Sequence, residues 1–254
     1  MSLRVEKLTK TYPGDFTAIA DISLTVNPGE CVGLIGPNGA GKTTTLKIIK
    51  GILSPTTGNF SINNVSYDRK TNNTELKGLT GFLPEDARVI AYLTVYQYLE
   101  LVAVLYNVPR ALANERIDQF LRLFDLEKRK HWHLEALSEG MKRKVLWVAT
   151  LIHDPPLVLL DDPLHALDVQ SFLNVIELIN RLKELKKSIL VSTHYLALVE
   201  KTCDRIVFIS EGRVIKVGTI NEILKDTNTP DIYDAYSKIV PSLSSPEDFK
   251  RLTL

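Results

Sequence analysis

The sequence predicts an α/β protein: a largely parallel sheet, antiparallel strands before it, and a helical subdomain inserted within it. Three observations carry this. First, Gly36-Pro37-Asn38-Gly39-Ala40-Gly41-Lys42-Thr43-Thr44 fits the pattern G-x-x-x-x-G-K-[ST] without mismatch. It stands between an apolar run, Cys31 to Ile35, and a helix-compatible stretch, Thr44 to Lys50, which is the strand–loop–helix context of a phosphate-binding loop. Second, the unbroken apolar run Leu157-Val158-Leu159-Leu160 reads as a strand buried on both faces, as parallel strands are. Third, from Val89 to about Ala136 the apolar residues fall at helical spacing.

The elements follow in order. Residues 3–8 and 16–26 alternate apolar and polar and are split by the turn-like Tyr12-Pro13-Gly14-Asp15, so they read as antiparallel strands. Pro28-Gly29 turns the chain into the strand before the phosphate loop. Short strands are expected around 58–67 and 79–83, with the polar segment Asp68 to Lys77 between them. In the insert, Leu93, Tyr96, Leu99 and Leu101 begin the helical pattern, and Ile117, Phe120, Leu121 and Phe124 continue it. The strand at 157–160 is followed by a helix at 169–187 and a strand at 188–192. A short helix near 195–202 and strands at 206–209 and 214–217, joined through Glu211-Gly212, complete the core. From about Asp226 the chain is richer in Pro, Ser, Thr and Asp and reads as a loosely attached extension, with Ile232 to Ile239 able to form a helix.

In the phosphate loop, glycines 36, 39 and 41 let the backbone turn its N–H groups inward. The first turn of the next helix adds further N–H groups and a positive dipole end. Lys42 is of the right type and place to reach the β- and γ-phosphates of a nucleotide, and Thr43 to hold Mg²⁺ through its hydroxyl. The apolar run at 157–160 ends in Asp161-Asp162. An aspartate at the carboxyl end of such a strand faces the phosphates and holds Mg²⁺ through water.

Composition sets the outer limits. Of 254 residues, 44% are hydrophobic and 24% charged, as in ordinary globular proteins. The net charge of +1 gives no reason to expect nucleic acid as a partner. Lys128-Arg129-Lys130 and Lys142-Arg143-Lys144 read as solvated helix faces. Cys31 and Cys203, each in or beside an apolar run, read as buried reduced thiols of a cytosolic protein. His131 and His133 flank Trp132 without zinc-ligand spacing. No stretch approaches the ~20 apolar residues that span a bilayer, and Met1 to Lys7 lacks the apolar core of a signal peptide. A cytoplasmic protein is expected, reaching a membrane only through a partner.

Between the two nucleotide motifs lies Leu137-Ser138-Glu139-Gly140-Met141-Lys142, where the chain resembles the signature peptide L-S-G-G-Q of the ATP-binding cassette (ABC) ATPases. Further markers fall in family order over about residues 3–225: Tyr12 ahead of the phosphate loop, Glu85 at the Q-loop position, Leu167-Asp168 at the D-loop, and His194 at the switch position. The resemblance implies a P-loop NTPase (RecA-like) core in an ABC ATPase domain at 1–225, with a helical subdomain at about 87–140 and a C-terminal extension at 226–254. Tyr12 would stack on adenine, although by itself it also reads as an edge-strand aromatic; Gly36 to Thr44 would hold the phosphates of ATP. Thr43, Asp161 and Glu85 would hold Mg²⁺, and Asp162, His194 and Glu85 would serve catalysis, although His194 by itself also reads as a strand-end histidine. Ser138 and Gly140 would touch the γ-phosphate of an ATP bound by a second cassette, in a homodimer or a heterodimer.

Departures from the family pattern bear on rate. Asp162 stands where the family usually has glutamate and is about 1.5 Å shorter in reach, so slow hydrolysis with near-normal ATP binding is expected. Glu85 replaces glutamine, Glu139 replaces the first signature glycine and is expected to project outward, and Met141, Leu164 and His165 are atypical. The segment Ala91 to Glu100 resembles the L-T-V-x-x-x-L run of single-cassette exporter ATPases; its Tyr92, Tyr96 and Tyr98 fit either a docking surface or subdomain core. The resemblance implies the motor subunit of an exporter, peripheral at the inner face of the membrane with separate permease chains. The alternative is a soluble, non-transport ABC protein that uses ATP as a slow dimerisation switch.

Overall fold

The computed structural model describes residues 3–70, 73–86 and 89–240. Strands β1 (Leu3–Tyr12) and β2 (Phe16–Val26) pair antiparallel, from Leu3 opposite Val26 to Tyr12 opposite Phe16. Gly14 and Asp15, both at positive φ, close their turn. β4 (Thr57–Ile62) pairs with β1 and with β5 (Val65–Ser66), so the first sheet has the order β2-β1-β4-β5.

The second sheet joins β3 (Cys31–Ile35), β6 (Thr80–Leu83), β7 (Leu157–Asp161), β8 (Ser188–Thr193), β9 (Arg205–Ser210) and β10 (Arg213–Thr219) in the order β10-β9-β3-β8-β7-β6. All its pairings are parallel except that of the edge strand β10 with β9. Alternate residues of the central strands serve different cores, as the pleat requires. Val158, Leu160, Ile189 and Val191 pack with the helices on one face, and Leu157, Leu159, Leu190 and Val32 pack toward the antiparallel sheet on the other. Burial on both faces is why these strands are apolar without interruption.

Helix α1 (Lys42–Ile49) follows the phosphate loop and is buried through Leu46, Ile48 and Ile49. The polar segment at 68–77 is not all connection: its end forms α2 (Thr74–Gly78), which buries Leu76. In the insert, α3 (Val95–Leu105) opens with a capping box in which Thr94 and Gln97 satisfy each other's backbone N–H. α4 (Arg110–Leu123) buries Ala113, Ile117 and Leu121. Two single 3₁₀ turns lead into α5 (Glu139–Leu151). Leu99 and Phe124 are buried as the spacing predicts, whereas Leu101 faces outward. α6 (Val169–Glu184) and α7 (Leu196–Thr202) cover the same face of the sheet.

One expectation fails after Asp226. α8 (Ile220–Thr227) runs through that position, and α9 (Ile232–Ile239) buries Ile232 and Ala235 fully in the helical-side core. Asp231 caps α9, and its apolar residues at helical spacing outweigh the loop-like composition around them. Residues 241–254 lie outside the described residues. Cys31 and Cys203 are buried free thiols with their sulfurs 3.7 Å apart. Among the described residues, no helix is long and apolar enough to cross a membrane.

Candidate functional site

The parallel pairing brings four strand ends together. Ile35 lies opposite Thr193, Asp161 opposite Ser192, and Leu83 opposite Leu160. The residues that follow β3, β6, β7 and β8 therefore share one edge of the sheet, the carboxyl edge at which α/β proteins bind ligands. There a cleft of about 340 Å³ is lined by Tyr12, Phe16, Asn38, Gly39, Gly41, Lys42, Thr43, Thr44, Glu85, Asp161, Asp162, Ser192 and His194. A larger groove of about 930 Å³ lies along β1, β2 and β4, lined by Arg4, Lys7 and Asp21 among others. It holds none of the nucleotide motifs, so chemistry rather than size selects the smaller cleft.

In the phosphate loop, Gly41 sits at φ +99°, and a Cβ there would meet Ile19 Cγ2 at 2.4 Å and the Ala18 carbonyl at 2.6 Å. Gly36 is needed for a different reason than turning the chain: a Cβ would stand 2.0 Å from the Ile209 carbonyl of β9. Gly41 is the N-cap of α1, which has neither a side-chain cap nor an acidic residue in its first turn. The first-turn N–H groups of this helix are thus left for a ligand. Lys42 Nζ donates to the carbonyls of Gly36 (2.7 Å) and Pro37 (2.9 Å), which holds it over the loop. Burial draws its pKa below the ordinary lysine value, against the pull of Asp162, Asp161 and Glu85.

Asp161 is buried and accepts the Ser192 hydroxyl on Oδ1 at 2.5 Å. Its Oδ2 is buried without a hydrogen-bond partner among the described residues. A carboxylate oxygen so placed, in a cleft also lined by Thr43 and Glu85, fits a hard divalent cation such as Mg²⁺. Asp162 Oδ1 accepts from Thr193 Oγ1 (3.2 Å), and Oδ2 lies 2.7 Å from His194 Nδ1. The Asp162 backbone is left-handed, φ +47°, a conformation that aspartate tolerates better than most residues. Tyr12 stands at the mouth of the cleft with its ring stacked on Phe16 at 6.4 Å and with Lys10 Nζ 5.2 Å from its centroid. Phe16 carried no signal in the sequence.

Ser138 and Gly140 do not line this cleft. Ser138 caps α5, accepting from Met141 N at 3.3 Å, and Gly140 packs where a Cβ would lie 2.6 Å from the Ala166 carbonyl. Glu139 projects outward, as expected, and pairs with Lys142 at 2.8 Å. Asp168 caps α6 through Ser171 N. The reading of Lys142-Arg143-Lys144 as a solvated face fails at Arg143, which is 3% exposed. Its guanidinium donates to the carbonyls of Pro84, Glu85, Asp161 and Asp162. Burial lowers its pKa to about 10, against the pull of Asp162, Asp161, Glu85 and Asp86, so it stays charged at neutral pH. Three successive basic residues signal a surface, and only the i, i+4, i+7 series Arg143, Trp147, Thr150 on the buried side of α5 hints otherwise.

The family model for the ABC transporter domain matches residues 19–165, more than half of the chain. The chain belongs to this family. An uncharacterized ABC transporter ATP-binding protein of Nostoc sp. is 37% identical to this ABC cassette over 212 residues, 82% of the cassette chain and 61% of the relative, so the chain spans less than two thirds of that relative. EcsA of Bacillus subtilis, an ABC-type transporter ATP-binding protein, is 32% identical over 236 residues, covering 91% and 94% of the two chains. The Nod factor export ATP-binding protein I of Ralstonia nicotianae is 31% identical over 241 residues, covering 95% of this chain and 74% of its own. Among solved structures, the ATP-binding subunit of an ABC transporter superposes with a TM-score of 0.88 at 33% identity, over 94% of this chain and 99% of that one. A dimeric post-hydrolysis state of the cassette MJ0796 bound to ADP and Pi reaches 0.78 at 26% identity, over 85% and 98%. The cassette is thus an ABC transporter ATP-binding subunit with the P-loop NTPase fold.

Of the insert tyrosines, Tyr96 packs within the helices, donating to Asn114 Oδ1 at 2.7 Å with Lys130 Nζ 4.8 Å from its ring centroid. Tyr98 lines a separate groove of about 450 Å³ with Ile52, Phe82, Tyr106 and His153, and Tyr92 is 74% exposed.

Proposed function

We propose that this cassette hydrolyses ATP in a head-to-tail pair with a second cassette, and that the pair drives an exporter whose permease chains are separate. The observation that carries the reading is the split of its parts. The phosphate loop, Asp161, Asp162 and His194 converge on one cleft, while Ser138 and Gly140 lie at a helix N-terminus outside it. A signature peptide that does not reach its own nucleotide has a role if it serves the nucleotide of a partner.

In this reading Tyr12 stacks on the base, and the backbone N–H groups from Gly39 to Thr44 hold the phosphates. Lys42 exchanges its two carbonyl contacts for the β- and γ-phosphates. Thr43, Asp161 and Glu85 would hold Mg²⁺, which neutralises charge developing on the phosphates. Asp162 accepts the proton of the attacking water, and His194, tied to Asp162 and lining the same cleft, contacts the γ-phosphate. Ser138 and Gly140 meet the γ-phosphate held by the partner. The short reach of Asp162 makes hydrolysis slow relative to binding. About residues 87–140 form the helical subdomain of the working cassette, whose core extends through α9, since Ile232 and Ala235 are buried in it.

The permease docks in the groove that Ile52, Phe82, Tyr98 and Tyr106 line between α1, β6 and the helical subdomain. The names of relatives for Nod factor export and for linearmycin resistance support an exporter. A tagged chain expressed in its own cell is expected to sediment with membranes, and Ile52→Asp to release it without loss of ATP binding. A wild-type chain that stays wholly off the membrane and hydrolyses ATP at the same rate as Ile52→Asp overturns the transport reading and leaves a soluble switch.

A further inference from the structure

We propose that Arg143 is a positioning residue for hydrolysis, transmitting the placement of the signature peptide to the carboxylates of its own chain. The inference rests on the reading above of Ser138 and Gly140 as contacts to the partner's nucleotide and of Asp162 as the group acting on water.

α5 starts at the signature peptide, and Arg143 leaves it little more than one turn later, toward the sheet edge. One guanidinium nitrogen, Nη1, donates to the carbonyls of Pro84 and Glu85, the second at 3.0 Å. The other, Nη2, donates to the carbonyls of Asp161 (2.8 Å) and Asp162 (2.6 Å). Each side of the fork therefore holds one strand end, after β6 and after β7. The residues so gripped carry the cleft's carboxylates, Glu85, Asp161 and Asp162.

Arg143 forms no side-chain ion pair among the described residues, although the four carboxylates of Asp162, Asp161, Glu85 and Asp86 lie close enough to influence it. The four hydrogen bonds of its Nη1 and Nη2 all go to main chain, and its Nε is left buried without a partner among the described residues. Burying a charge is costly, and here four carbonyls offset that cost by accepting from it. What the charge supplies is a fixed geometry: a planar fork sets two strand ends at a defined separation, which the point charge of lysine does not. One further donor on the same face of α5 grips the same edge, Trp147 Nε1 to the Pro163 carbonyl (3.3 Å).

The grip bears most directly on Asp162. Its N–H donates to Ser192 O at 2.8 Å while its carbonyl accepts from Arg143, so its left-handed backbone is pinned from both sides. The direction of its carboxylate toward His194 follows from that pinning. A shift of α5, driven by a phosphate arriving at Ser138 and Gly140, moves Arg143 and with it the carbonyls of Glu85, Asp161 and Asp162.

The test compares steady-state ATP hydrolysis and ATP affinity in the full chain for wild type, Arg143→Gln and Arg143→Lys. A misplacement of about 1 Å costs on the order of 100-fold in rate. Arg143→Gln is therefore expected to lower kcat about 10- to 100-fold, with KM for ATP changed less than about threefold and the Hill coefficient for ATP reduced toward one. Arg143→Lys is expected to fall between. Arg143→Ala provides a readout that does not depend on the glutamine variant folding well: millimolar guanidinium is expected to restore part of its kcat. Wild-type kcat in Arg143→Gln or Arg143→Lys overturns the proposal. So does a loss of kcat and ATP affinity together that guanidinium does not reverse. Asp162→Asn, measured alongside, separates the two failures. Full turnover in that variant overturns the reading of the site, whereas loss there with wild-type kinetics in Arg143→Gln overturns the inference alone.

Discussion

Asp162→Asn is expected to lower kcat by about 100-fold or more, the range for removing a general base, with ATP affinity held within a few-fold of wild type. The amide keeps the size of the side chain and can still meet Thr193 and His194, but it cannot take a proton from water. Asp162→Glu tests the same position in the other direction. The extra methylene restores about 1.5 Å of reach and is expected to raise turnover about tenfold. It also places a residue less tolerant of left-handed backbone at φ +47°, which costs on the order of 1 kcal/mol of stability. A faster but slightly less stable enzyme is the expected result, read from kcat and from the urea midpoint. An unchanged or lower rate in Asp162→Glu would show that the length of this side chain does not limit the chemistry.

Lys42→Ala is expected to abolish ATP binding at concentrations that saturate the wild type. The ammonium makes two hydrogen bonds to loop carbonyls in the free protein, and in the complex it exchanges them for phosphate oxygens. Charge-assisted bonds contribute about 1.5–3 kcal/mol each, so two of them amount to 100-fold or more in affinity. Because the charge also stands opposite Asp162, Asp161 and Glu85, its loss leaves a cleft with negative side chains that repel the triphosphate. Calorimetric titration with ATP measures the effect. Affinity within threefold of wild type would show that the loop backbone alone carries binding.

Most of the cleft was legible in the sequence because its parts have fixed chemistry at fixed spacing. The phosphate loop follows a strand, Asp161 ends another, and His194 follows a third. Parallel pairing then has to gather them at one edge. What escaped depends on where side chains go rather than on what they are. Arg143 sits between two lysines and looks solvated, yet the helix turns it toward the sheet while Lys142 pairs with Glu139 outside. Phe16 sits across the first turn from Tyr12, and only the antiparallel register makes the two rings one platform. Gly36 reads as a turn glycine but serves the close passage of β9, a contact between distant segments of chain. The helix at Ile232 to Ile239 was legible, but a composition rich in turn residues hid the fact that Ile232 and Ala235 bury it in the core.

In the proposed pair, one chain's nucleotide is completed by the signature peptide of another. Sedimentation of the Asp162→Asn chain with saturating ATP tests it most directly, since slowed hydrolysis preserves the ATP-bound state. If the partner is a second copy, a species of twice the 28.5 kDa of one chain is expected with ATP and one of single mass without it; if it is a different cassette, the pair is expected only in its presence. Ser138→Arg, added to the same chain, is predicted to abolish the pair while each monomer still binds ATP. A chain that stays monomeric at saturating ATP both alone and when mixed with the other cassettes of its own cell, or a pair that Ser138→Arg leaves intact, would show that the signature peptide serves no partner's nucleotide.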